Sequence, residues 1–91
     1  MTIENKKRIL KRNVLVQRLD DEIIILNVKD ERYFSLDKHG AIFWGAIEKN
    51  EEVGAILEEL ESTFEVERKL LEADLEKFID ELVDHGIVEI K

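Results

Sequence analysis

Apolar and polar positions alternate through VLVQRL (14–19), give way to an almost unbroken apolar run in EIIILNVK (22–29), and alternate again in RYFSL (32–36). Short runs rich in β-branched and aromatic residues, separated only by Asp20-Asp21 and Asp30-Glu31, predict three strands joined by hairpin-length turns. A three-stranded antiparallel meander is the economical arrangement. Its middle strand is apolar on both faces, with Ile23 and Ile25 on one and Ile24, Leu26 and Val28 on the other. Such a strand needs cover on both sides, or one face is a contact surface. The third strand alternates Phe34 and Leu36 against Tyr33 and Ser35. It stands at an edge of the meander, where a row of backbone N–H and C=O groups is unpaired.

After Leu36 the apolar spacing changes to that of helices. Asp37 is placed to cap a first helix, DKHGAIFWGAIEK, by accepting a hydrogen bond from an early free amide. Gly40 and Gly45 each lower its intrinsic stability by about 1 kcal/mol relative to alanine, so packing must hold it. That helix is apolar nearly all round and is expected to be buried. Val53, Ile56, Leu57, Leu60 and Phe64 form the inward stripe of a second helix. A third, about 67 to 85, carries Leu71, Leu75, Phe78, Ile79, Leu82 and Val83 and stops at Gly86. Ile87, Val88 and Ile90 then make an apolar tail that can pin the C-terminus. The fold class read from this order is α+β, a three-stranded antiparallel meander followed by three helices.

Length and charge narrow the picture. Ninety-one residues make one core. Five of the 14 Lys and Arg side chains lie in residues 1–12, with Glu4 the sole acid there, while the whole chain carries a net charge of −8. The reading is a basic N-terminal arm, 1–12, ahead of an anionic domain, 13–91. The bland account of the arm is a solvated lead-in; the other is an electrostatic contact with a partner. No cysteine is present, which removes disulfides and thiolate chemistry and fits the cytoplasm. No apolar run reaches the length of a membrane span.

Catalysis finds no support in the residues. Neither His39 nor His85 is paired by sequence with a nucleophile and an orienting acid, and no metal or phosphate-binding motif occurs. No enzyme activity, cofactor or metal is expected. A winged-helix DNA-binding regulator is the rival of another class. Its recognition helix would be the third, which sets seven acids against Arg68, Lys69 and Lys77, the wrong sign for phosphates.

What remains is a surface. Four of the six aromatics, Tyr33, Phe34, Phe43 and Trp44, gather within residues 31–44. If the third helix lies beside the edge strand 32–36, the two enclose a cleft with a backbone wall and an apolar wall under an acidic rim. That geometry suits addition of an extended peptide as a further strand. The alternative is that Phe34, Leu36, Leu71 and Phe78 simply pack on one another. A monomer is expected, with pairing of two such edges into a homodimer as the alternative.

The runs YFSLDKHGAIFWGAI, EEVGAILEELESTFEV and LLEADLEKFIDELVDHGIV resemble PqqD-like proteins, the stand-alone form of the recognition element for ribosomally made, modified (RiPP) peptides. Leu36, Gly40, Trp44, Asp74, Phe78, Ile79, Leu82 and Gly86 fit the family pattern, whereas Asp37, His39, Phe64 and Leu75 replace its usual residues. The resemblance implies a winged-helix-like fold and a non-catalytic adaptor. In that family a precursor's leader segment joins the third strand antiparallel, beside the third helix. Carried over, the peptide-binding positions are Tyr33, Phe34, Ser35 and Leu36 on the strand and Leu71, Asp74, Leu75 and Phe78 on the helix. Phe43, Trp44 and Ile47 would be core beneath them. The implied partners are a precursor leader peptide and a maturation enzyme, either a leader peptidase as in lasso-peptide systems or a radical SAM enzyme as in pyrroloquinoline-quinone systems, with no nucleic acid and no membrane.

Overall fold

The computed structural model describes residues 6–91; Met1 to Asn5 of the basic arm lie outside the described residues. The order is β1 (Ile9–Lys11), β2 (Val14–Leu19), β3 (Glu22–Asn27), β4 (Arg32–Leu36), α1 (Lys38–Lys49), α2 (Val53–Thr63), α3 (Arg68–Asp84) and β5 (Val88–Ile90). Strands β2, β3 and β4 form the expected antiparallel meander, and three helices follow it in an α+β fold. The two hairpin turns contain no glycine, so Asp20 and Glu31 themselves take positive φ, 49° and 54°. β3 stops at Asn27, earlier than its apolar run suggests, because this side chain closes the next turn by accepting a hydrogen bond from the Asp30 amide. Asn27 Nδ2 also donates to the His85 carbonyl at 2.8 Å, tying the hairpin to the end of α3.

Part of the basic arm is a strand. Ile9–Lys11 pairs antiparallel with Val88–Ile90 in a separate two-stranded sheet, and Ile9 is buried in the core. The same segment reaches α2: the Lys7 carbonyl accepts from the Val53 amide, and Arg8 forms a β-bridge with Glu52 and an ion pair with Glu51. The apolar tail after α3 is what this strand pairs with.

Helix boundaries follow local chemistry. Asp37 accepts from the Gly40 amide at 2.9 Å, the expected cap. α3 ends in a Schellman arrangement: the Gly86 amide donates to Val83 and the Ile87 amide to Leu82. Gly86 takes φ +70°, and a Cβ there would lie 2.6 Å from Asn27 Nδ2. Phe43, Trp44 and Ile47 of α1 meet Ile56, Leu57 and Leu60 of α2, Leu75, Ile79 and Leu82 of α3, and Ile23, Ile25 and Leu36 of the sheet in one core. The helices thus cover one sheet face only. Across the other, Leu15, Leu26 and Tyr33 align from β2 to β4, with Leu15 and Tyr33 exposed and Leu26 half-buried. No helix among the described residues is long and apolar enough to cross a membrane.

Candidate functional site at the β4 edge

β4 pairs with β3 along one side, and no strand among the described residues pairs with its other side. Because side chains alternate, Phe34 and Leu36 point to the helical layer and Tyr33 and Ser35 to the open face. Phe34 is half-buried, its ring 4.5 Å from that of His85 at the end of α3. His85 Nδ1 lies 2.8 Å from the Glu81 carbonyl, which can only accept, so Nδ1 carries the proton in that contact.

Nearby, a cleft of about 210 Å³ opens between the start of α1 and the middle of α3. It is lined by His39 and Phe43 from α1 and by Asp74, Lys77, Phe78 and Glu81 from α3, residues spaced to share one helix face. Its floor is aromatic. Phe43 meets Phe78 nearly edge-on at 5.6 Å, an arrangement that satisfies ring quadrupoles, and His39 sits 4.9 Å from Phe43 and 5.2 Å from Phe64. A shallower depression of about 440 Å³, lined by Asp37, Lys38, His39, Ile42 and Phe64, shares His39 with the cleft. The rim carries two carboxylates, Asp74 and Glu81, against Lys77. Among the described residues no group of three or more His, Asp or Glu side chains is arranged to hold a metal.

The sequence-predicted positions separate under this geometry. Asp74 and Phe78 line the cleft. Leu71 and Leu75 are core, 2% and 1% exposed, and present no side-chain surface to a ligand, a correction to the helix half of the expected set. Leu36 is likewise buried, leaving its backbone at the edge. Phe34 packs on the His85 ring and against the core, and Tyr33 and Ser35 are exposed on the opposite sheet face. Sequence reasoning missed His39, Phe43, Lys77 and Glu81 as lining residues. The signal for Lys77 and Glu81 was available, since they recur at helical spacing with Asp74 and Phe78. His39 and His85, which the sequence pairs with no catalytic partner, both lie against phenylalanine rings.

The chain is similar to TbiB1, solved in complex with the TbiA(beta) leader peptide: the TM-score is 0.81 and the identity 26%, over 88% of this chain and 94% of that one. A search among curated proteins finds no match. The model of the family described as Coenzyme PQQ synthesis protein D (PqqD) matches residues 22–88, from the first residue of β3 to the first of β5, and the chain belongs to that family.

Proposed function

We propose that this chain is a non-catalytic adaptor that binds the leader segment of a ribosomally made precursor peptide as an extra antiparallel strand on β4. It then presents that peptide to a maturation enzyme, a leader peptidase of the lasso-peptide type, with a radical SAM enzyme as the other partner class. The observation that carries this reading is the unpaired edge of β4 lying close to an aromatic-floored cleft on α3. Similarity to a protein solved with a leader peptide supports it. A cysteine-free chain handling an unmodified precursor fits the cytoplasm.

Magnitudes divide the labour within such a site. Backbone pairing contributes about 0.5–1.5 kcal/mol net per hydrogen bond. Ordering a flexible peptide costs at least a few kcal/mol, so the ladder sets direction and register with little left over. Apolar anchors at about 1.5–3 kcal/mol each decide affinity and choice of sequence. Alternate peptide side chains face the cleft, where Phe78 and Phe43 supply apolar surface and Asp74 and Glu81 favour a basic neighbour. The DNA-binding reading has no comparable support, because the exposed side of α3 is acidic.

The test is an NMR titration with the leader of a precursor encoded beside this chain. Amides of 32–36 and of 77–81 are expected to shift, and Phe78→Asp should weaken binding at least tenfold while circular dichroism stays unchanged. Movement confined to β2, with β4 silent, would discard the site.

A further inference from the structure

Among the described residues the meander has a second unpaired margin. There β2 pairs with β3 alone, and four of its six residues, Leu15, Gln17, Arg18 and Leu19, are exposed. Natural edges are usually guarded by lysine, proline or a bulge. β2 has no proline or lysine, and its one charge, Arg18, is drawn aside into an ion pair with Glu48 of α1. Two of the most exposed large apolar side chains in the described residues sit on this strand, Leu15 at 62% and Leu19 at 45%.

We infer that β2 is a self-association surface, and that its occupant is β2 of a second copy, paired antiparallel about a two-fold axis through Gln17. Charge order along the chain selects this occupant. The segment is basic before β2, at Lys11 and Arg12, whose side chains also meet the Glu48 carbonyl and Glu89, and acidic in the turn after it, at Asp20 and Asp21. Antiparallel self-pairing sets the basic end of one copy against the acidic end of the other, and symmetry repeats the match. Side-chain parity then limits the register, because opposed residues must share a sheet face. Pairing about Gln17 satisfies this and sets Leu15 against Leu19 of the second copy, twice, on the open face. It also brings Arg12 of each copy toward the Asp20-Asp21 turn of the other.

β4 carries no such order: Glu31 before it is followed at once by Arg32, its first residue, and Asp37 and Lys38 come after it, so both signs are mixed. The net charge of −8 on each copy opposes association. That repulsion acts between bodies 20–35 Å across, whereas the screening length in 0.15 M salt is about 8 Å, so the matched ends dominate at short range. The product is a six-stranded sheet with helices on one side and β4 at both outer margins, still open.

The experiment uses the whole chain, which has no cysteine of its own. Opposed antiparallel residues lie about 4.5–5.5 Å apart at Cα, inside the disulfide range of about 4.4–6.8 Å. Gln17→Cys is therefore expected to form a covalent dimer on mild oxidation at least tenfold faster than Leu15→Cys, whose own copies stand four residues out of register. Sedimentation equilibrium from about 10 μM to 1 mM, the range for an interface of less than standard size, should show a reversible dimer. Arg12→Glu or Asp21→Arg alone should weaken it about tenfold, and an equal mixture of the two variants should restore it. A monomer throughout that range, equal cross-linking of the two cysteine variants, or faster linkage through Tyr33→Cys would each overturn the inference, none of them depending on a peptide.

Discussion

Gly45 and Gly86 look alike in the sequence and differ wholly in what their missing side chains do. A Cβ at Gly45 would meet nothing within 4 Å. Gly45→Ala removes unfolded-state freedom at no steric cost and should raise stability by about 0.5–1 kcal/mol, read as a higher denaturation midpoint. Gly86→Ala should instead cost about 1–3 kcal/mol in the same titration, because φ +70° and the close Asn27 amide both oppose it. The Gly86 stop and the Asp37 cap were legible beforehand, since both are local contacts between near neighbours along the chain. Asn27 was not: its role depends on the His85 carbonyl 58 residues away, which no local pattern announces.

At the scale of elements, β2 and β4 match their expected spans and α3 differs by one residue at each end. Long apolar periodicity survives tertiary context, and these segments have it. β1 does not: Ile9-Leu10-Lys11 is too short to carry a period, and it becomes a strand only because β5 and the start of α2 are there to receive it. Removing residues up to Lys11 should therefore cost at least the burial of Ile9, about 1.5–3 kcal/mol, and appear as a lower melting temperature. The same limit explains Leu71 and Leu75. A helical wheel gives the width of an apolar arc, not which part of it turns inward, and only the packing of α3 against α2 and β5 decides that Asp74 and Phe78 face the cleft.

For the whole molecule, the Cα radius of gyration of 12.5 Å is that of one folded unit of this length. The Arg8 amide donates to the Lys91 carbonyl and the Lys91 amide to Arg8, so the two sides of the β1–β5 ribbon are locked by reciprocal bonds. Among the described residues, the segments that β1 and its flanks pair with, around Glu51–Val53 and Ile87–Lys91, are all synthesised after it. A segment whose partners are all distant joins late, after the meander and helices have assembled. Ile9→Ala should accordingly leave the refolding rate nearly unchanged and raise the unfolding rate by roughly the full loss in stability, measurable from the two arms of a chevron plot. In a cell that clasp would govern lifetime: when it opens first, the molecule frays from the ribbon inward and exposes a protease-sensitive thread while the peptide-receiving edge is still intact.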